Sequence, residues 1–222
     1  GSLRDQQSAA VRRLADDELG MFVAPPGAGK TVVACALIAH RRSPTLVIVD
    51  RSELLEQWRT RLLENLDLEA DQIGRIGGGH DRRTHLIDVA MIQSLARKTD
   101  SALFDPYGFV IVDECHHLPA VSFTECVQRA RSRHWLGLTA TPYRRDGLEP
   151  LIAFQCGPVR HEIKATAVEG AELMRRELVV HPTDTEVTDD EAEHIQDVFA
   201  ALVDDHRRTA QICADVSEAV HS

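Results

Sequence analysis

A chain of 222 residues suits one sizeable domain with an extension, or two small domains, and its 43% apolar content excludes general disorder. No apolar run approaches the roughly 20 residues that span a bilayer, and no apolar signal segment opens the chain, so a soluble, cytoplasmic protein with no membrane partner is expected. A net charge of −10 would weigh against nucleic-acid binding if evenly spread; however, residues 1–170 hold 21 basic against 22 acidic side chains and residues 171–222 hold 4 against 13, so the first part can still carry a basic face.

Gly1-Ser2 reads as a cloning scar, and residues 3–170 read as the main domain. A helix is expected from Leu3 to about Asp16, with Leu3, Ala10, Val11 and Leu14 as its apolar positions. A short strand, Met21-Phe22-Val23, leads into Ala24-Pro25-Pro26-Gly27-Ala28-Gly29-Lys30-Thr31 and then a helical run, Val32 to Ile38. Thr45 to Asp50 is a continuous β-branched run, the mark of a strand buried on both faces. Ser52 to Leu63 is an amphipathic helix with Ser52 as its expected N-cap and Leu54, Leu55, Trp58, Leu62 and Leu63 on one side.

Farther along lie a glycine-rich passage (Ile76 to His80) and strands at Leu86–Ile92, Phe109–Val112 and His134–Leu138. After Pro158, short strands at Val159–Lys164 and Leu178–Val180 flank a helix around Ala171–Arg176. A capping box, Thr188-Asp189-Asp190-Glu191, precedes a helix through Ile195, Val198, Phe199, Leu202 and Val203, irregular near Asp204-Asp205 and running on toward Val220. The five cysteines form no C-x-x-C pair and read as reduced thiols. Strands alternating with helices give an open parallel α/β sheet with helices on both faces, in which ligands bind beyond the strands' carboxyl ends.

The stretch Ala24 to Thr31 has the strand, glycine loop, Lys-Thr and helix order of a phosphate-binding loop. Its glycines let backbone N–H groups turn inward, and the helix N-terminus adds positive potential at the same place. Pro26, Gly27, Ala28, Gly29, Lys30 and Thr31 are the candidate cradle, with Lys30 on the outer phosphates and Thr31 on Mg²⁺. Asp113 and Glu114 end the Phe109–Val112 strand: Asp113 suits the metal, Glu114 the orientation and deprotonation of water. Thr139 and Thr141 end the next strand, where two hydroxyls can reach His116. For His117, capping or surface exposure is an equal alternative.

The ordered set APPGAGKT, VDRSELLEQW, IGGGHD, VAMIQSL, VDECHH and GLTATPYRRDG resembles the first RecA-like domain of superfamily 2 DExH-type helicases and translocases. Within it, the chain is most similar to the branch holding xeroderma-pigmentosum-B-type helicases and type III restriction motor subunits. The resemblance covers residues 3–160, and in that superfamily alanine is common where the general loop pattern starts with glycine. It implies ATP and Mg²⁺ as cofactors and nucleic acid as partner, DNA before RNA. It implies Gln7, in Leu3-Arg4-Asp5-Gln6-Gln7, as the adenine-reading glutamine, although Asp5 and Gln6 replace the family's proline and tyrosine. It makes Lys30, Asp113 and Glu114 catalytic, and His116, Thr139 and Thr141 the coupling residues. Arg51-Ser52, Gly77-Gly78 and Gln93-Ser94 match motifs that grip a nucleic-acid backbone, and such residues also serve as caps and tight turns.

The resemblance also implies a second RecA-like domain in cis, outside these residues, that supplies an arginine finger worth on the order of 10³–10⁵ in rate. Residues 171–222 are then the acidic, mainly helical connector toward it, or a helix that docks on this domain or a partner. The 222 residues alone are expected to bind ATP weakly and neither to hydrolyse it efficiently nor to unwind. The alternatives are a non-hydrolysing, ATP-switched nucleic-acid-binding module and a P-loop kinase. Intact Lys30, Asp113 and Glu114 speak against the first, and D-E-C-H followed by T-A-T has no role in the second.

Overall fold

The strand β2 (Thr45–Val49) is buried at every position, as its unbroken apolar run requires of a strand covered on both faces. The structure, a computed structural model, describes residues 2–117, 124–126, 129–141, 149–164, 180–183, 185 and 195–221. Around β2 lie α1 (Asp5–Ala15), β1 (Leu19–Val23), α2 (Lys30–Arg41), α3 (Ser52–Asn65), β3 (Ile73–Gly77), β4 (His80–Arg82), β5 (Ile87–Met91) and α4 (Ile92–Ala96). They are followed by β6 (Phe109–Val112), β7 (His134–Thr139), α5 (Glu149–Cys156), β8 (Val159–Glu162), α6 (Ile195–Asp204) and α7 (His206–His221).

The eight strands form one sheet in the order β4-β3-β5-β2-β6-β7-β1-β8. Every pairing is parallel except β3 with β4, so the parallel sheet expected from the sequence carries one antiparallel edge strand. Alternate residues of the central strands face opposite ways. Val47, Val49 and Ile111 join Leu37, Leu55 and Trp58 of α2 and α3 on one face, whereas Leu46, Ile48 and Val112 join Ile92 and Leu95 of α4 on the other. Burying both faces of the sheet in this way makes the three-layer α/β/α arrangement.

The hairpin β3–β4 occupies the passage read from sequence only as glycine-rich. Gly77 pairs with His80, leaving Gly78 and Gly79 as a two-residue turn with φ of 59° and 81°. Left-handed backbone at both central positions is what a tight hairpin needs. Helix α3 begins on Ser52 itself, with Arg51 at the N-cap position and no side-chain cap, so Ser52 is not the N-cap. Leu55, Trp58 and Leu62 are its buried positions, and Leu63 is exposed.

The chain divides into two compact units, residues 1–173 and 174–222. In the second, the irregularity expected near Asp204-Asp205 is a break between α6 and α7, where Asp205 Oδ1 accepts from the backbone N–H groups of Arg207 (2.9 Å) and Arg208 (3.0 Å). Asp205 thus caps α7. The expected helix at Ala171–Arg176, the residues before Val180 in the Leu178–Val180 strand, the capping box at Thr188–Glu191 and the motif residues from Pro142 to Gly147 lie outside the described residues. No helix among the described residues is long and apolar enough to cross a membrane.

Candidate functional site

The loop after β1 turns on two glycines with left-handed backbone, Gly27 (φ 81°) and Gly29 (φ 90°), and Gly29 occupies the N-cap position of α2. A Cβ on Gly27 would meet nothing within 4 Å. One on Gly29 would lie 2.3 Å from Gln7 Nε2. Gln7 is buried against the loop: its Nε2 donates to Ala28 O (3.1 Å) and its Oε1 accepts from Arg4 N (3.0 Å). Arg4 in turn donates from Nη2 to the carbonyls of Gly27 and Ala28, both at 3.2 Å. Gln7 and Arg4 therefore brace the cradle from behind, and Arg4 is a site residue that sequence reading passed over.

Lys30 opens α2 and aims its ammonium across the loop, donating to Ala24 O (3.0 Å) and lying 3.6 Å from Glu114 Oε1. Asp113 and Glu114 follow β6, whose backbone ladder with β2 extends to Asp113 N donating to Ile48 O (2.9 Å). Asp113 Oδ2 accepts from the indole Nε1 of Trp58 (2.7 Å), and Oδ1 accepts from Glu114 N (3.0 Å). Burial pushes the Asp113 carboxyl above its usual range, and the nearby Glu114 charge adds to that. The Trp58 and Glu114 N–H donors and Lys30 pull the other way. Glu114 itself has φ 42°, strained for a side-chain-bearing residue. Its Oε2 is buried without a hydrogen bond and lies 3.5 Å from His116 Nδ1.

His116 sits in the short 3-10 turn Cys115–His117 and meets the end of β7, with Nδ1 2.6 Å from Thr139 Oγ1. Thr139 Oγ1 also lies 2.5 Å from Thr141 O and 3.2 Å from Thr141 N. Of the two hydroxyls expected on His116, only that of Thr139 makes the contact; Thr141 is joined to Thr139 through its backbone. Thr139 O accepts from Ala24 N (3.0 Å), tying the end of β7 to the start of the loop.

A cleft of about 760 Å³ is lined by Pro25, Pro26, Gly27, Gly29, Lys30 and Thr31 of the loop and α2. Asp113 and Glu114, after β6, and Gln57, Trp58 and Arg61 of α3 also line it. Among the described residues no group of three or more His, Cys, Asp or Glu could hold a metal. A single carboxylate, Asp113, lining the same cleft as Thr31 still fits Mg²⁺, which is ordinarily held by one or two carboxylates together with phosphate oxygens and water. One acid for the metal, a second carboxylate beside a lysine, and a helix N-terminus are the donor set a nucleoside triphosphate requires.

The remaining candidates lie at the carboxyl ends of β2, β5 and β3, which are neighbours in the sheet. Gln93, on α4, donates from Nε2 to Asp50 O (2.7 Å), bringing the Gln93-Ser94 and Arg51-Ser52 motifs together, and its Oε1 is buried without a hydrogen bond. Arg51 is exposed and pairs with Asp50 at 3.1 Å. Gly77, with φ 141°, lies where a Cβ would meet Met91 Cγ at 2.7 Å, so the hairpin turn packs on the strand that leads into α4. The basic residues here are interleaved with acids: Arg75 pairs with Glu56 at 2.5 Å, and Arg83 and Lys98 pair with Asp81 at 3.0 and 2.6 Å. Those two cations hold the Asp81 carboxyl down to about 2.

The family model for the type III restriction enzyme, res subunit, matches residues 1–144. The chain belongs to this family. The chain is also similar to the DNA 3'-5' translocase XPB2 of Sulfurisphaera tokodaii, 35% identical over 157 residues that make up 71% of this chain and 35% of that protein. The DNA 3'-5' helicase XPB of Kineococcus radiotolerans is 35% identical over 168 residues, 72% of this chain and 30% of its own length. The chain thus spans about a third or less of these relatives. Among solved structures, the UvsW helicase of Bacteriophage T4 superposes with a TM-score of 0.64 at 18% identity, over 71% of this chain and 59% of that one. That likeness establishes the RecA-like fold of this res-subunit family member.

Proposed function

We propose that this chain is the ATP-binding half of an ATP-dependent DNA helicase or translocase, which couples hydrolysis to movement on nucleic acid. The observation that carries the reading is the convergence of Lys30, Glu114, His116 and Thr139, contributed by three strand ends, within one connected set of contacts. Bound Mg²⁺ would supply charge neutralisation on the phosphates, and Thr31 and Asp113 are the residues that would hold it. Lys30 holds outer phosphate oxygens, and the loop N–H groups and the start of α2 orient the rest. Glu114 accepts the proton of the attacking water, with the Lys30 ammonium 3.6 Å from one of its oxygens and the His116 ring 3.5 Å from the other. Gln7 and Arg4 stiffen the loop, and Gln7 reads the base when its amide turns from Ala28.

The rim formed by Arg51, Ser52, Gly77, Gly78, Gln93 and Ser94 takes a phosphodiester backbone without reading sequence. DNA is favoured as the track by the names of the relatives above. A second RecA-like domain in cis completes both the rim and the cleft, supplying the arginine that faces the phosphates. ATP turnover by the full-length protein, with and without single-stranded DNA, tests the reading beside Glu114→Gln. Expected are DNA-stimulated turnover in the parent and, in Glu114→Gln, retained Mg-ATP binding with turnover abolished. A parent that binds ATP but never turns it over, with DNA or without, overturns the motor in favour of an ATP-switched module.

A further inference from the structure

The sequence contains two tryptophans, both buried and both with the indole N–H satisfied, but by different kinds of acceptor. Trp135 Nε1 donates to a backbone carbonyl, Ser132 O, at 3.0 Å, which is sufficient for a ring that only fills the core. Trp58 Nε1 instead donates to a carboxylate in the cleft, Asp113 Oδ2, at 2.7 Å and across 55 residues of sequence. The distance is that of a strong bond to a charged acceptor. Asp113 Oδ1 is held from a second direction by Glu114 N at 3.0 Å. Each carboxylate oxygen can accept twice, so this arrangement fixes the plane of the carboxylate and leaves one acceptor position on each oxygen for the cleft. Trp58 is itself 2% exposed, and its ring is packed with Leu55, Leu62 and Val49, so the donor cannot swing away without moving α3.

We infer that Trp58 is a positioning residue for Mg²⁺: its indole N–H aims the Asp113 carboxylate so that the metal of a bound Mg-nucleotide is held against Thr31. The inference rests on Asp113 being the magnesium carboxylate, as proposed above. Residues that orient a metal ligand in this way ordinarily govern metal affinity while leaving the ligand set intact.

The test is nucleotide affinity of the 222-residue chain, measured by fluorescence titration with a labelled ADP in Mg²⁺ and in excess EDTA. Trp58→Phe keeps an aromatic ring and removes the donor. It should lose on the order of ten- to a hundredfold in affinity in Mg²⁺ and none in EDTA. Trp135→Phe should change neither. Equal losses of Trp58→Phe in both conditions, or none in either, overturn the inference and leave the proposed function standing. A parent whose affinity is the same with and without Mg²⁺ overturns both.

Should Trp58→Phe fail to fold, the ¹⁵N-labelled parent gives an independent reading, with the two indole resonances assigned through Trp135→Phe. The Trp58 resonance should lie downfield and exchange slowly with solvent, and adding Mg²⁺ to the ADP-loaded chain should move it while leaving that of Trp135 in place. A Trp58 resonance that does not respond overturns the inference.

Discussion

Nδ1 of His116 lies 2.6 Å from Oγ1 of Thr139, and Thr139 has one hydroxyl proton, which the 2.5 Å approach to Thr141 O takes up. With that proton on Thr141 O, the tautomer of His116 that completes the pair is the one carrying Nδ1–H. The same Nδ1 lies 3.5 Å from Glu114 Oε2. The imidazole thus stands between the residue proposed to activate water and the end of β7.

Thr139→Val preserves the shape of that residue and removes its hydroxyl, and with it the contact that links His116 to the end of β7. In the full-length protein, DNA-stimulated ATP turnover should fall several-fold, in line with about 0.5–1.5 kcal/mol for one hydrogen bond, with Mg-ATP affinity unchanged. Thr141→Val should have a smaller effect, because Thr141 meets Thr139 through its backbone O and N. Steady-state kinetics with and without DNA decide it: equal losses in the two variants would mean that His116 is not held through Thr139 alone.

Gly29 and Gln7 form the tightest joint behind the nucleotide loop. An alanine at Gly29 suffers twice: its φ of 90° costs roughly 1–2 kcal/mol for a side-chain-bearing residue, and its Cβ would lie 2.3 Å from Gln7 Nε2. Gly27→Ala, with φ 81° and nothing within 4 Å, suffers only the first. Thermal melting should rank the parent above Gly27→Ala and Gly27→Ala above Gly29→Ala, each kcal/mol lowering Tm by about 2–4 °C in a unit of this size. Adding Gln7→Ala to Gly29→Ala should recover part of the loss. A double variant no more stable than Gly29→Ala would show that the contact is not the cause.

Much of this was legible because the chemistry is local in sequence. The nucleotide loop needs glycines at fixed offsets before a helix, and β2, β6 and β7 announce themselves by unbroken apolar runs. The hairpin β3–β4 was missed because His80, Asp81 and Arg82 are all exposed and carry no alternation, although Gly78-Gly79 between two short runs is a recognised turn signal. Helix α5 spans only eight residues, too short for an apolar period to separate helix from strand. Trp58 was read as core, correctly for its ring. Its acceptor depends on β2 lying beside β6, so that the helix after one strand overhangs the carboxylates after the other, and order along the chain does not give that pairing. The rule that a buried indole N–H needs a partner was the one available clue.

Asp88, fully buried near the start of β5, has no part in the cleft and is the clearest purely structural charge in the sheet. Its Oδ1 accepts from Thr84 N (2.8 Å), and its Oδ2 from His85 N (3.1 Å) and the Tyr107 hydroxyl. The carboxylate thereby ties the connection between β4 and β5, where His85 sits at a left-handed φ of 58°, to the residues entering β6. Tyr107 is 2% exposed, and burial followed by its bond to Asp88 pushes the phenol's pKa up, so it remains a donor throughout the working pH range. Tyr107→Phe should destabilise the domain by about 1.5–3 kcal/mol, the worth of a hydrogen bond to a charged acceptor. Asp88→Asn should cost more, because its amide NH₂, whichever way it turns, would replace an oxygen that now accepts from two donors: the backbone N–H and hydroxyl of Thr84 on Oδ1, or His85 N and the Tyr107 hydroxyl on Oδ2. Urea unfolding measures both as a lower midpoint at unchanged slope, since neither alters the surface exposed on unfolding. Mg-nucleotide affinity should be the same in all three proteins, since Asp88 lies toward the amino end of β5 and the cleft lies beyond the strands' carboxyl ends. A Tyr107→Phe protein of parental stability would mean that Thr84 and His85 hold the carboxylate by themselves.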